Sequence, residues 1–372
     1  DDGDHGASVP GERRAGYGVA VSPPITVRDA LGLVLQSAQP LPAEDVRLEL
    51  AGGRVVCEPV RAAIDLPPFR SSAMDGFAVR AGDVPGTLRV TERSAAGSPA
   101  RGTVGAGETI AVTTGGVVPD GADAVVPVEA TVDGGDEVEF PSAIAAGANV
   151  RPQGGDLAAG AVVVAAGYPL GPAQLAALAA TGVTHVRCAR RPRVTIVTTG
   201  TELRPAGTAL APGQIYESNG LMLEELFTRA GLPVERLASV GDDPDEHREA
   251  LAAALETDVL VTSGGVSVGP LDLVRATLAE LGVTETFWGV AMRPGKPLAF
   301  GRRGRTLVFG LPGNPVSALV GAHLFVLPAL RALQGHHAPA PSFTTVSASE
   351  GFVRHPARED YPRAVLTAAE GG

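Results

Sequence analysis

The stretch that most constrains the fold lies at residues 193–317, where strand, glycine-rich turn and helix follow one another three times. The turns are TTGTEL (198–203), TSGGVSVG (262–269) and LPGNPVS (311–317), and each follows an apolar, β-branched run. Such runs are typical of the inner strands of a parallel sheet, which are buried on both faces. Ligands of these sheets bind at the carboxyl ends of the strands. The spacing therefore predicts an α/β domain that binds phosphate or a nucleotide.

The polar residues on these turns indicate what kind of ligand the sheet edge could hold. Carboxylates, hydroxyls and two cations stand beside glycine-rich backbone, a combination that predicts an oxyanion site with room for Mg²⁺. These turns contain no histidine, which argues against a histidine-based triad or a histidine-ligated zinc site. The polar residues are Thr199, Glu202, Ser263, Ser267, Asp272, Arg293, Lys296 and Ser317.

Charge and cysteine content exclude several classes of function. The net charge is −11 with a pI near 5.2, and no cluster of Lys and Arg offsets the deficit, so we expect no nucleic-acid partner. The only cysteines, Cys57 and Cys188, are far apart, which predicts a reducing compartment. No apolar run of about 18 residues and no signal-peptide pattern is evident, so we expect no membrane partner and a cytoplasmic protein.

The first half of the chain combines a polar arm at residues 1–21 with many short β-like segments over residues 81–150, which predict a small barrel or sandwich. Asp75 follows two prolines in LPPFRSSAMDGFAVR (66–80), and this places it on a loop; an ordinary Asp-Gly turn explains the segment equally well. Thr114 stands at a strand end, where a plain loop and a ligand contact are equally good explanations.

Several helices and their ends can be predicted. Thr26 and Asp243 are candidate caps of two helices, and Ser218 or Asn219 of a third. The helix PAQLAALAAT is apolar nearly all round, which predicts burial. A long apolar helix is expected over residues 314–335. Near the C-terminus, SFTTVSAS and YPRAVLTA are weakly strand-like, and the segment Val46–Leu50 alternates like a strand.

Seven segments, taken together, resemble one family. They are PPFRSSAMDGFAV, TTGGVVPDGADAVV, RPRVTIVTTGTEL, IYESN, TSGGVSVGPLDLV, RPGKP and LPGNPVSA, spread over about residues 25–335. In this order and at these intervals they are similar to the motifs of the MoeA/gephyrin-type molybdopterin molybdenumtransferases. The resemblance implies an enzyme of molybdenum cofactor biosynthesis that inserts molybdate into adenylylated molybdopterin, with release of AMP in a Mg²⁺-dependent step.

The resemblance also implies a multidomain α/β fold. It comprises a doubly wound, molybdopterin-binding α/β domain, a linker domain made of two chain segments, a small β-rich domain and a C-terminal β domain that is incomplete at Gly372. Members of the family are dimers, and an adenylylating enzyme of the same pathway supplies their substrate. The implied bounds are 22–62 and 152–187 for the linker domain, 63–151 for the β-rich domain, 188–335 for the α/β domain and 336–372 for the C-terminal domain.

Site residues are carried over position by position from the family's motifs. The resemblance implies catalytic roles for Asp75, Glu202, Asp272 and Asp156, of which Asp75, Glu202 and Asp272 would also bind the metal. Local reasoning on Arg151 and Asp156 alone predicts a solvated ion pair between them. The substrate-binding residues implied are Thr114, Arg151, Ser263, Gly264, Gly265, Ser267, Arg293, Lys296, Ser317 and Arg363.

The sequence departs from the family pattern at a few positions. Arg293 replaces the usual lysine; it keeps the charge but prefers planar, bidentate contacts. Thr201 stands where an aspartate is common, and the serine that should follow Arg363 by about 20 residues would lie beyond Gly372. Two alternatives stay open. The short C-terminus favours a pterin-binding fragment that does not turn over, and a function of another class is a gephyrin-like scaffold that binds a partner's peptide, which no feature of the sequence favours. A separate pterin-adenylylating enzyme is disfavoured, because it lacks the SAMDG and GADAVV segments.

Overall fold

The structure, a computed structural model, describes residues 23–241, 243–265 and 273–367. Ser267, Asp272 and the predicted arm at residues 1–21 lie outside the described residues. The chain divides into two compact units. The described part of the first unit comprises residues 23–37, 193–327 and 341–367, and the second unit comprises residues 38–192 and 328–340.

Helices account for a minority of the described residues. In chain order they are α1 (Val27–Ser37), α2 (Pro172–Ala180), α3 (Asn219–Arg229), α4 (Pro244–Ala254), α5 (Leu273–Glu280), α6 (Pro315–Gly321) and α7 (Leu327–Leu333). The π-helical segment Ala322–Val326 joins α6 to α7, and short 3₁₀ helices occur at Leu48–Leu50, Ala81–Asp83 and Val128–Ala130.

Strands occur in both units. In chain order they are β1 (Ala43–Arg47), β2 (Val60–Arg61), β3 (Ser71–Ser72), β4 (Gly76–Val79), β5 (Gly86–Ser94), β6 (Glu108–Val112), β7 (Ala124–Pro127), β8 (Val132–Asp133), β9 (Glu137–Phe140), β10 (Val150–Arg151), β11 (Val162–Val164), β12 (His185–Ala189), β13 (Val194–Thr198), β14 (Leu203–Arg204), β15 (Ile215–Tyr216), β16 (Val234–Arg236), β17 (Val259–Ser263), β18 (Thr284–Trp288), β19 (Met292–Arg293), β20 (Ala299–Arg303), β21 (Thr306–Leu311) and β22 (Glu359–Asp360).

A six-stranded sheet forms the centre of the first unit, in the order β16-β13-β17-β21-β20-β18. Strands β16, β13, β17 and β21 are parallel, whereas β20 and β18 extend the sheet antiparallel. Every residue of β13 and β17 is buried, which confirms the predicted inner strands. On one face, α4 and α5 contribute Leu251 and Leu278 to a core cluster with Leu260 of β17. The carboxyl ends of β13, β17 and β21 consequently lie side by side.

Two of the predicted helix caps are confirmed and one is wrong. Thr26 Oγ1 accepts the Asp29 N–H at 3.1 Å at the start of α1, and the Asp243 carboxylate accepts two N–H groups at the start of α4. At α3, Ser218 makes no capping bond; instead Glu217 Oε1 accepts the Gly220 N–H at 2.6 Å. Asn219 does not cap α3 either, because its amide is bonded to the turns described below.

The long apolar helix is confirmed. Pro315–Leu333 is, among the described residues, long and apolar enough to cross a membrane by length and hydropathy, although we expected no such run. Of its most apolar window 67% is buried inside the protein, as in the core helix of a globular protein.

The second unit contains another six-stranded sheet, in the order β7-β4-β6-β5-β9-β8. Phe77 and Val79 of β4 pack into one core cluster and Ala78 into another, so the sheet is buried on both faces. The β-like segments expected over residues 81–150 are confirmed as β5, β6, β7 and β9. The alternating run near Val46 ends earlier than expected, because Leu48–Leu50 is a 3₁₀ helix.

Two predictions about burial and strands are wrong. In α2 only Leu178 is buried, because one stripe of the helix packs on the core and its alanines tolerate solvent. Near the C-terminus, SFTTVSAS and YPRAVLTA form no strand in the described residues, and Phe343 and Val365 are exposed. A β-branched run needs a paired neighbour and a packed face to become a strand. Tyr361 bonds to the Arg293 carbonyl, but residues 342–349 and 362–367 are exposed and so have no packed face.

Candidate functional site

A cavity of about 470 Å³ opens at the carboxyl edge of the sheet in the first unit. Its size is within the range of small-molecule sites, which is about 300–1,000 Å³. The turns after β13, β17 and β21, which the sequence predicted for this edge, line the cavity together with the start of α3. The lining residues are Thr198, Thr199, Gly200, Thr201, Glu202, Leu203, Ile215, Tyr216, Glu217, Ser218, Asn219, Ser263, Gly264, Gly265, Pro297, Pro312, Gly313 and Pro315.

The turn after β17 begins with two glycines whose backbone conformation favours glycine. Gly264 and Gly265 have φ angles of +96° and +59°, a region that favours glycine. A Cβ on Gly264 would lie 2.4 Å from the Thr199 carbonyl oxygen, and one on Gly265 would lie 2.4 Å from Val274 Cγ2. Gly264 therefore lets the turn pack directly on the backbone at the end of β13, and Gly265 lets it pack on Val274 of α5. Both glycines line the cavity, as the sequence predicted.

The side chain of Asn219 joins two of the cavity turns. Its Nδ2 donates to Ser263 Oγ at 2.9 Å and to the Gly313 carbonyl at 2.8 Å. A carbonyl oxygen can only accept, so this bond fixes which end of the amide faces the turn after β21. Ser263 is 2% exposed and its hydroxyl also donates to the Pro312 carbonyl at 3.4 Å. The hydroxyl of this predicted substrate-binding residue is thus bonded within the protein.

Two polar atoms at the cavity are buried without a hydrogen-bond partner among the described residues. They are Thr199 Oγ1 and Asn219 Oδ1, and both residues are more than nine-tenths buried. An unsatisfied buried polar group costs about 1–3 kcal/mol, which is a reason to look for a ligand. Thr199 is one of the polar turn residues predicted from the sequence, whereas Asn219 was expected only as an alternative to Ser218 for the cap of α3. The IYESN segment could have indicated a binding role for Asn219, because this asparagine is the first residue of α3, at the sheet edge.

Glu202 lines the cavity with an exposed carboxylate, and a Cβ on Gly200 would lie 2.6 Å from its Oε2. Glu217 also lines the cavity, but its carboxylate accepts from Gly220 N–H and from Arg236 Nη1. Within the described ranges no group of three or more His, Cys, Asp or Glu is placed to hold a metal. Mg²⁺ commonly binds one or two carboxylates and completes its shell with phosphate and water, so Glu202 fits such an ion at the cavity.

The loop at residues 293–297 lies against the start of α6. A Cβ on Gly295 would lie 3.6 Å from the Ser317 carbonyl oxygen, and Pro297 and Pro315 both line the cavity. This arrangement brings the predicted oxyanion residues Lys296 and Ser317 to the same edge; Lys296 is exposed and Ser317 is buried. The cations Arg293 and Lys296 and the hydroxyl of Ser317 are groups of the kind that bind a tetrahedral dianion.

Arg293 has a partner 67 residues further along the chain, Asp360. Its Nε donates to Asp360 Oδ1 at 2.7 Å and its Nη2 donates to the Val353 carbonyl at 3.4 Å. Arg363 is exposed and follows Tyr361, whose N–H donates to the Arg293 carbonyl at 2.8 Å. The chain segment that carries Arg363 is therefore paired with the segment that carries Arg293.

The remaining predicted site residues lie in the second unit. Asp75 Oδ1 accepts the Thr114 N–H at 2.6 Å and the Thr114 hydroxyl at 2.9 Å. These two donors, the backbone N–H above all, hold the pKa of Asp75 below its ordinary value. Arg151 and Asp156 form an ion pair in which each side chain is about half exposed, which confirms the predicted pair.

Comparison with known proteins identifies the family. Residues 25–182 match the family model described as MoeA N-terminal region (domain I and II), and residues 195–332 match a probable molybdopterin binding domain. The chain is 37% identical over 300 residues to the molybdopterin molybdenumtransferase of Haemophilus influenzae, covering 80% of this chain and 74% of the relative. The chain belongs to the molybdopterin molybdenumtransferase family.

Other relatives and a solved structure agree with this family. Molybdopterin molybdenumtransferase 2 of Mycobacterium tuberculosis is 38% identical over 86% of this chain and 82% of its own length. A crystal structure of a molybdopterin biosynthesis MoeA protein from Pyrococcus horikoshii is 34% identical, with a TM-score of 0.73, over 84% of this chain and 81% of that one. The resemblance and the multidomain α/β fold expected from the sequence are both confirmed.

Proposed function

We propose that this chain is a molybdopterin molybdenumtransferase that inserts molybdate into adenylylated molybdopterin and releases AMP, in the biosynthesis of the molybdenum cofactor. The observation that carries the proposal is the cavity at the sheet edge, where the Gly264-Gly265 turn exposes backbone and where Thr199 and Asn219 keep unpartnered polar atoms. A small, polar, nitrogen-rich ligand such as a pterin nucleotide suits this lining.

In this proposal different residues of the cavity bind different parts of the ligand. The backbone of the glycine turn and the start of α3 face the phosphate-bearing part of the ligand. Thr199 and Asn219 offer hydrogen bonds to its polar edges. Glu202 would hold Mg²⁺ at the cavity, and when bound the ion would neutralise charge on the phosphate groups. For Asp75 and Asp272, metal binding is implied by the resemblance to the family alone.

We assign molybdate to the neighbouring loop. Arg293, Lys296 and Arg363 supply positive charge and Ser317 supplies a polar group at the start of α6. Tetrahedral oxyanions are bound by charge-assisted hydrogen bonds of this kind, and Arg adds a planar pair of donors.

Further assignments rest on the resemblance to the family. In the second unit, the resemblance implies substrate binding by Thr114 and Arg151 and a catalytic role for Asp156, which forms an ion pair with Arg151. Ser263, bonded to Asn219, would support the turn, and the resemblance implies substrate binding by Ser267. We further propose a cytoplasmic homodimer, supplied with substrate by a molybdopterin-adenylylating enzyme. Sedimentation at a known chain concentration tests the dimer, because a monomer mass would reject it.

The decisive assay of function measures molybdate-dependent release of AMP from adenylylated molybdopterin in the presence of Mg²⁺. We expect release by the unmodified chain and a decrease of about 100-fold in Glu202→Gln. The matched control is Glu256→Gln, since Glu256 is 77% exposed and pairs with Arg303 away from the cavity. Release that does not depend on molybdate, or equal release by both variants, would contradict the proposal.

One observation favours a second candidate, a chain that binds the pterin without turnover. Within the described part of residues 341–367, β22 is the one strand, and the residues around it are largely exposed. In the same assay this candidate predicts tight binding of adenylylated molybdopterin with no AMP release at any molybdate concentration.

A further inference from the structure

A short parallel ladder brings an acidic residue to Arg293. Strand β22 pairs with β19, with Arg293 opposite Asp360. The Glu359 N–H donates to the Ala291 carbonyl and the Tyr361 N–H donates to the Arg293 carbonyl, each at 2.8 Å. Because the backbone fixes both residues, the contact between their side chains belongs to the fold of this segment.

Asp360 is a buried carboxylate with both oxygens engaged. Its side chain is only 6% exposed to solvent. Oδ1 accepts from Arg293 Nε at 2.7 Å, and Oδ2 accepts the His355 N–H at 2.5 Å. The His355 N–H, followed by Arg293, lowers the pKa of Asp360, so the group is ionised at neutral pH. A buried charge needs such partners, and Arg293 is the cationic side chain that donates a hydrogen bond to it.

Arg293, in contrast, remains half exposed, at 52% of its side chain. Asp360 and the Val353 carbonyl hold the guanidinium through Nε and Nη2. A guanidinium is planar and carries five N–H donors, so a group anchored along one edge presents its other donors in a fixed direction. A lysine is a single point charge and could not be oriented in this way.

We propose that Asp360 is a positioning residue, which aligns the Arg293 guanidinium to bind a tetrahedral oxyanion through its outward N–H groups. This inference rests on the proposed function, which assigns Arg293 to molybdate. The benefit of alignment is a pair of parallel charge-assisted hydrogen bonds to two oxygens of the dianion. The negative charge of Asp360 alone would weaken anion binding, so alignment and charge predict opposite effects of removing it.

The test is calorimetric titration of molybdate into the full chain, in the unmodified protein, Asp360→Asn, Arg293→Ala and the double variant. Asparagine has one acceptor oxygen, so it cannot serve both Arg293 Nε–H and His355 N–H, and its NH₂ must face one of them. We expect Asp360→Asn to weaken molybdate binding by about tenfold. In the Arg293→Ala background we expect the same substitution to have no further effect, because the residue acts through Arg293.

Two further variants guard against a trivial loss of structure. Glu359→Gln changes the adjacent, exposed carboxylate and should bind molybdate as the unmodified chain does. Arg293→Lys keeps the positive charge and leaves Asp360 in place, but it lacks the guanidinium edge that Asp360 and the Val353 carbonyl hold through Nε and Nη2. We expect it to weaken molybdate binding by about as much as Asp360→Asn does, with an unchanged fold by circular dichroism.

The outcomes separate this inference from the proposed function. Tighter molybdate binding by Asp360→Asn would overturn it in favour of a purely electrostatic effect. If Asp360→Asn weakens molybdate binding equally in the unmodified protein and in the Arg293→Ala background, the inference is overturned and Asp360 has a structural role in the C-terminal segment. Unimpaired molybdate binding by Arg293→Lys would overturn it as well. If Arg293→Ala binds molybdate as well as the unmodified chain, the assignment of Arg293 in the proposed function fails first.

Discussion

Replacing Gly264 by alanine tests whether the glycine turn determines the shape of the cavity. A Cβ there would lie 2.4 Å from the Thr199 carbonyl oxygen, about 1 Å closer than an ordinary contact of 3.4 Å. This oxygen belongs to the backbone at the end of β13, where the Thr199 N–H is bonded to the Ser263 carbonyl at 3.0 Å. No side-chain rotation can relieve the clash, so the turn and the strand end must separate.

The expected cost has two parts. The φ of +96° is unfavourable for any residue with a Cβ, by about 1–2 kcal/mol. Displacing packed backbone adds about 1–3 kcal/mol, by analogy with overpacked cores. A control isolates the first part: Gly282 has a similar φ of +84°, but nothing lies within 4 Å of its Cβ position. We expect Gly264→Ala to destabilise the fold by about 2 kcal/mol more than Gly282→Ala.

Urea denaturation of the two variants measures this difference, and titration with adenylylated molybdopterin measures its effect on the cavity. We expect Gly264→Ala to lose ligand binding and Gly282→Ala to retain it, because Gly282 follows α5 and does not line the cavity. If the two variants are equally stable and bind the ligand equally well, the close packing of the glycine turn does not shape the site, and the reasoning is refuted.

Three further perturbations test individual contacts. Thr114→Val removes one of the two donors to Asp75, so the pKa of Asp75 measured by NMR should rise toward its ordinary value. Because folding lowers the pKa of Asp75, its ionised form stabilises the folded protein at any pH above the unfolded-state pKa. This stabilisation is lost as the pH falls through the folded-state pKa. In the variant the two pKa values are closer together, so the pH range over which stability is lost is narrower. An unchanged pKa would show that the hydroxyl is unimportant. Asn219→Ala removes two hydrogen bonds and should cost about 2 kcal/mol in urea denaturation and weaken pterin binding; a loss of stability with undiminished binding would confine Asn219 to a structural role. Asp243→Ala removes the cap of α4 and should cost about 1 kcal/mol without changing AMP release, whereas Asp245→Ala, which accepts no capping bond, should cost less.

The sequence predicted those parts of the structure that local pattern determines. Apolar β-branched runs followed by glycine turns identified β13, β17 and β21, and their carboxyl ends do line one cavity. Capping residues such as Thr26 and Asp243 gave correct helix starts, because the cap and its N–H donors are neighbours in the chain. Glu202 and the Gly264-Gly265 turn were predicted at the sheet edge because they follow the apolar strands β13 and β17 closely in the chain.

Contacts between distant segments could not be predicted. Asn219 looked like a helix cap because nothing local shows that its amide bonds to Ser263 and Gly313 instead. The pairing of Arg293 with Asp360 spans 67 residues and depends on a two-residue ladder. In α2, hydropathy alone suggested burial, although small alanines are equally stable at the surface. Each failure concerns what packs against an element, which periodicity does not specify.

The central claim is that the cavity at the sheet edge binds the pterin substrate, and a crystal structure of this chain with adenylylated molybdopterin tests it most directly. The measured quantity is the set of distances from the ligand to the protein. We predict ligand atoms within hydrogen-bonding distance of the Gly264-Gly265 backbone and of Thr199 or Asn219. Ligand density elsewhere on the chain, with this cavity empty, would contradict the account.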